Sequence, residues 1–117
     1  MIQTVQKEST TWKKAFNSQD ALACANQYED DAIMEVKSIG TFQGKKAIQA
    51  FWQKIIDDGF LDVEYHNPTI EVIDQTCAIL SSKWKMNKAY GVIYKELWVI
   101  QPDGSAKLKE DVFEILG

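Results

Sequence analysis

Histidine is nearly missing from this 117-residue chain, where His66 is the only one. A metal site built from several histidines is excluded by count. Cys24 and Cys77 are the only cysteines and make no zinc-spaced pair with each other or with His66, so no metal or cofactor is expected. One cysteine lies in a helical stretch and the other at a strand start, which reads as two small buried side chains and not as a disulfide. Basic charge is also in short supply. Thirteen basic residues against 17 acidic ones leave a net charge of −4. The clustered basic surface that phosphate binding needs is lacking, and nucleic acid is not an expected partner. Lys83, Lys85, Lys88 and Lys95 read as strand lysines that face solvent or flank an interface. No apolar run approaches the length of a membrane span, so no membrane partner is expected. The opening MIQTVQKES lacks the basic start, apolar centre and cleavage site of a secretory signal, and the expected location is cytoplasmic. A serine or cysteine nucleophile is possible on composition alone, but no nucleophile-elbow motif supports one.

What the chain does have is 45% hydrophobic residues with 26% charge, the composition of one domain over residues 1–117 with its own core. Ile2, Val5, Trp12, Ala15 and Phe16 fall near one helical face, so the first seventeen or so residues predict an amphipathic helix. Asn17 and Ser18 stop it. Ser18 is placed to cap a second, short helix through Cys24 and Ala25, with Asp20 in its first turn. Tyr28 leads into a strand, Ala32 to Val36, and Gly40 and Gly44 break the chain beyond it. Ala47, Ile48, Phe51, Trp52, Ile55 and Ile56 then recur at helical spacing, up to Gly59.

Strands follow. Leu61, Val63 and Tyr65 alternate, and Pro68 is expected to interrupt or bend that strand. Residues 69–86 read as a hairpin around Asp74-Gln75-Thr76. After a turn at 87–91, residues 92–101 form another strand, and Pro102-Asp103-Gly104 signals a hairpin before the last strand, 107–116. Helices followed by an antiparallel meander make an α+β domain, without repeats or low-complexity segments.

Three segments, YEDDA before the first strand, GTFQGKKAIQAFW into the third helix and IEVIDQTCAILSSKWKM as the central hairpin, resemble the NTF2-like superfamily. This group includes SnoaL-like cyclases and ketosteroid isomerase-like small proteins. The resemblance covers essentially the whole chain. It implies a cone in which three N-terminal helices pack inside a strongly curved, mostly antiparallel sheet around an apolar cavity. It also implies that the outer sheet face forms a homodimer.

The isomerase pattern carries over unevenly. Its catalytic base falls on Val36, which cannot accept a proton, and Glu35 beside it points to the other face of the strand. Its oxyanion tyrosine falls on Trp12 and a supporting tyrosine on Trp52; an indole N–H donates a hydrogen bond but does not titrate near neutral pH. Its protonated acid falls on Glu96, the one position where the chemical type survives. Alternation places Tyr94, Glu96 and Trp98 on one face, where burial would raise the Glu96 pKa, and Lys95, Leu97 and Val99 on the other. Asp111 and His66, the latter near Tyr65 and Asn67, are weaker candidates.

The expected pocket comprises Trp12, Phe16, Met34, Val36, Trp52, Leu80, Ser82, Trp84, Tyr94 and Trp98, and suits a small, flat hydrophobic molecule. The expected dimer face comprises Cys77, Ile79, Lys95, Leu97 and Val99. Two functions follow: an isomerase, cyclase or hydrolase working through Glu96, or an association module whose filled cavity is only core.

Overall fold

In a computed structural model of residues 1–117, α1 (Ile2–Asn17) and α2 (Ala21–Ala25) precede a hairpin of β1 (Tyr28–Lys37) and β2 (Gly40–Gln43). Then come α3 (Lys45–Asp57), β3 (Glu64–Val72), β4 (Cys77–Lys85), β5 (Tyr90–Ile100) and β6 (Ala106–Ile115). Only two of the three helices are therefore N-terminal, a correction to the expected arrangement. The cap of α2 also differs. Asp20, not Ser18, is the N-cap, its carboxylate accepting the Ala23 N–H at 3.0 Å, while Ser18 closes α1. The short β2 went unseen because Thr41 and Phe42 are too few to show a period. It folds back on β1 through Ser38, whose φ of 78° is left-handed, and Gly44 at φ 87° then starts α3.

The six strands lie in the order β2-β1-β6-β5-β4-β3. All pairings are antiparallel except that of β1 with β6, which is parallel. Pro68 does not end its strand. It sits in β3, an edge strand, at a break in register between His66 and Thr69 where Asn67 has φ 56°. An edge strand at a bulge is where a residue without an N–H is tolerated. Helix α1 touches both β6 and β3, which have two strands, β5 and β4, between them in the sheet order, so the sheet wraps around it without closing. No helix is long and apolar enough to cross a membrane.

The helices cover one face of the sheet. Val5, Trp12, Ala15 and Phe16 of α1, with Ile48, Trp52 and Ile56 of α3, are buried against it, whereas Ile2 is left exposed. Three rows of paired inward residues cross the strands. One runs Tyr28, Leu108, Trp98, Ala78, and another runs Val36, Phe113, Ile93, Ser82. Between them lies Met34, Asp111, Glu96, Leu80. Two carboxyls thus occupy the centre of an otherwise mostly apolar face.

Candidate acid pair in an aromatic cavity

Two irregularities set the directions of the side chains on β5 and β6. Counting outward from the turn at Asp103 places Glu96 opposite Glu110, but the ladder slips between Leu97 and Trp98, and β6 takes in an extra residue, Lys109. Asp111 is thereby turned inward, directly opposite Glu96, and Glu110 faces out to meet Lys95 Nζ at 2.6 Å. The second slip, between Ile93 and Lys95, adds Tyr94 to β5. Such a bulge re-aims the side chains on its two sides. Tyr94 was expected on the cavity wall by simple alternation, but it points outward. It is 45% exposed, its hydroxyl donates to Glu114, and Lys37 lies over its ring.

Both inward acids are 4% exposed, and neither has an ion-pair partner. Each is held by neutral donors instead. Tyr65 Oη donates to Glu96 Oε2 at 2.9 Å and Trp98 Nε1 to Glu96 Oε1 at 3.0 Å. Tyr28 Oη donates to Asp111 Oδ2 at 2.7 Å and in turn accepts from Trp52 Nε1 at 3.3 Å. Three buried polar atoms are left without a partner: Asp111 Oδ1, Trp12 Nε1 and Trp84 Nε1. All three residues border the same cavity, together with Trp52, Tyr65, Glu96 and Phe113.

Burial governs the protonation of the pair, because the charged form loses its hydration. It pushes the Asp111 pKa up to about 7 against the pull of the Tyr28 hydrogen bond. Burial first, and then the charge on Asp111, pushes Glu96 up to about 8, opposed by the Tyr65 and Trp98 hydrogen bonds and the charge of Lys13. Burial and the neighbouring acids also raise both tyrosine hydroxyls well above their ordinary range, so they stay protonated donors. Around neutral pH the two opposed acids do not both ionise readily, because the charge on one disfavours the charge on the other. One group can then accept a proton while the other donates one.

The cavity itself is about 20 Å³, on the order of what a single water needs. Aromatic rings fill most of the space around it: Trp52 meets Trp12 edge-on at 5.0 Å and stacks on Phe113 at 5.6 Å. Among the expected pocket residues, Trp12, Trp52 and Trp84 border it. Phe16, Met34, Val36, Leu80, Ser82 and Trp98 are buried but do not. Ser82 donates its hydroxyl to the carbonyls of Lys83 and His66. His66, expected near the cavity mouth, has a half-exposed side chain 3.7 Å from Glu64 and does not border the acids. Cys77 and Ile79 lie opposite Val99 and Leu97 on the outer face, half-buried, beside Lys95.

Sequence reasoning missed Tyr28, Tyr65 and Phe113. The alternation of Val63 and Tyr65 was visible, but nothing local says that the hydroxyl reaches Glu96. Tyr28 read as a lead-in to β1, yet it is fully buried. No group of three or more His, Cys, Asp or Glu side chains is placed to hold a metal ion.

No protein-family model matches the chain, and no curated protein matches its sequence. Solved structures do match its shape. A ketosteroid isomerase-like protein from Erwinia carotovora atroseptica superposes with a TM-score of 0.83 at 14% identity, over 97% of this chain and 95% of that one. A scytalone dehydratase-like protein from Novosphingobium aromaticivorans gives a TM-score of 0.84 at 15% identity, over 99% and 84% of the two chains. A protein of unknown function with a cystatin-like fold from Nostoc punctiforme gives 0.82 at 12% identity, over 96% and 88%. Identities this low carry architecture and not chemistry. The chain has the α+β fold of the NTF2-like superfamily.

Proposed function

We propose that this protein binds a small, mostly apolar molecule between its aromatic rings and moves protons on it through Glu96 and Asp111, in an isomerisation or cyclisation. The observation that carries this reading is the acid pair itself, two carboxyls facing each other in an apolar enclosure with no cation between them. Ionised Asp111 would take a proton from carbon, neutral Glu96 would hydrogen-bond or protonate the oxygen where charge develops, and the proton returns at a second carbon. The unpartnered N–H groups of Trp12 and Trp84 offer further donors to a ligand oxygen. Binding requires the rings to part, since the cavity is far smaller than a ligand.

The test is a thermal-shift screen of small flat carbonyl compounds, followed by proton exchange of each hit in deuterated water. A hit should raise the melting temperature; Asp111→Asn should abolish exchange by removing the base, and Glu96→Gln, whose amide donates a hydrogen bond but no proton, should slow exchange while leaving binding in place. Undiminished exchange in that variant would overturn the role of Glu96.

The small cavity favours a second reading, an association module whose interior is only core. It expects no small molecule to raise the melting temperature. Both readings use the outer sheet face, with Cys77, Ile79, Leu97 and Val99, for a homodimer. Leu97→Asp should then convert a dimer into a folded monomer in light scattering; a wild-type monomer would remove that interface.

A further inference from the structure

A second, larger hollow shares Tyr65 with the cavity that holds the acid pair. It lies between α1 and the edge strand β3, holds about 230 Å³, and has Ser9, Thr10 and Lys13 on the helix side, Tyr65 and Ile70 on the strand side and Leu80 behind. The bulge at Asn67 and Pro68 interrupts the pairing of β3 with β4 alongside it. Tyr65 borders both the groove and the cavity: Lys13 Nζ lies 4.6 Å from the centre of its ring, and its hydroxyl reaches Glu96.

The polar character of this groove is one-sided. Lys13 is the only charged group that borders it, is half-buried and forms no ion pair, although the chain carries a net charge of −4. Ser9 is 4% exposed, borders the groove and has no hydrogen bond to its hydroxyl. A cation, a free hydroxyl and an apolar wall of Ile70 and Leu80 are together complementary to a molecule with one anionic end and an apolar remainder.

We infer that the groove between α1 and β3 is the way into the cavity, and that the molecule entering it is an amphipathic monoanion, in the simplest case a carboxylate. Lys13 and Ser9 hold the anionic end while the apolar end passes Tyr65 toward Glu96. This rests on the reading of the cavity as a ligand site and adds the class of ligand and its direction of approach. The charge of Lys13 also bears on Glu96, whose proton it loosens. An anion paired with Lys13 cancels that pull, so the arriving ligand itself helps to keep Glu96 in its proton-donating form.

The experiment compares two probes of one shape, 4-phenylbutanoate and 4-phenyl-1-butanol, by titration calorimetry at pH 7 on the full chain. The carboxylate should bind wild type about tenfold more tightly than the alcohol, the size of one charge-assisted hydrogen bond. Lys13→Met, which keeps an aliphatic chain over Tyr65, should reduce the preference to parity, and Lys13→Arg should restore it. Occupancy of the inner cavity is read separately from the indole N–H resonances of Trp12 and Trp84, which should shift with either probe. Parity in wild type, or a preference that survives Lys13→Met, overturns the inference even where the indole signals move and the cavity reading stands. A Lys13-dependent preference with unmoved indole signals keeps the anion site but overturns the passage inward, and the cavity reading with it. Binding of neither probe overturns the inference.

Discussion

The two faces of the β5–β6 hairpin treat their acids in opposite ways. On the outer face Glu110 meets Lys95 at 2.6 Å, both side chains roughly one-third exposed or more. On the inner face Glu96 and Asp111, one residue away from that pair on each strand, have only each other and neutral donors. The chain has no arginine, and none of its lysines forms an ion pair with either inner acid. Like charges directly opposite one another destabilise a sheet, and burying a carboxylate adds its lost hydration. A sequence selected only for packing would place methionine or leucine there, as it does at Met34 and Leu80 in the same row. The inner pair is a departure from the most stable solution, and such departures concentrate at working sites.

The largest test of that difference is the effect of pH. Both inner acids have raised pKa values in the fold, so their contribution is greatest at low pH. Below the ordinary values of 3.8 and 4.5 they are neutral whether the chain is folded or not. As pH rises, the unfolded chain sheds these protons first. Stability then falls by up to about 1.4 kcal/mol per pH unit for each acid. The fall ends as Asp111 ionises near about 7 and Glu96 near about 8. Urea unfolding of wild type should show this fall between pH 5 and 8.5, and Glu96→Gln/Asp111→Asn should flatten it and be the more stable protein at pH 8.5. Parallel curves for the two proteins would mean that the inner acids are no different from outer ones.

Next in size is a contrast between neighbours on β5. Trp98 is 1% exposed, and Trp98→Ala removes a large core side chain together with the N–H that holds Glu96; it should cost about 3–5 kcal/mol. Val99, half-buried on the outer face, should cost under about 1 kcal/mol when changed to alanine in a monomer. Chemical denaturation of both variants at pH 6 checks the gap. A Val99→Ala loss approaching that of Trp98→Ala would show that the outer face is covered as fully as the inner one.

How far each face could be read from the chain depended on range. Helical spacing from Val5 to Phe16 and from Ile48 to Ile56 identified the helices and their buried sides; Glu96 was singled out by the resemblance to the isomerase pattern, and its inward direction was legible because its strand alternates cleanly from there to Ile100. The alternation fails one turn of the pattern earlier, at Tyr94, because a bulge inserts a residue without marking the sequence: Tyr94 is as good a strand residue as any. The extra Lys109 hid the opposition of Asp111 to Glu96 in the same way, although the hairpin turn itself was legible. Tyr28 and Tyr65 reach the acids from strands far away in sequence, and such contacts are set by the curvature of the whole sheet and not by any local period.

The smallest effect lies on the outer face and decides most about it. Lys95 and Glu110 are joined at 2.6 Å, with side chains 36% and 40% exposed, so water screens the pair. A double-mutant cycle with Lys95→Ala and Glu110→Ala should give a coupling of about 0.2–1 kcal/mol, weakened by added salt. If the outer face is buried in a homodimer, the same pair loses its water, and the coupling should grow and stop responding to salt while the dimer persists. Measuring the cycle above and below the concentration at which the protein dissociates separates the two cases. A small, salt-sensitive coupling at every concentration leaves Lys95 and Glu110 outside any interface, and the contrast between paired outer acids and unpaired inner ones is then a property of the single chain.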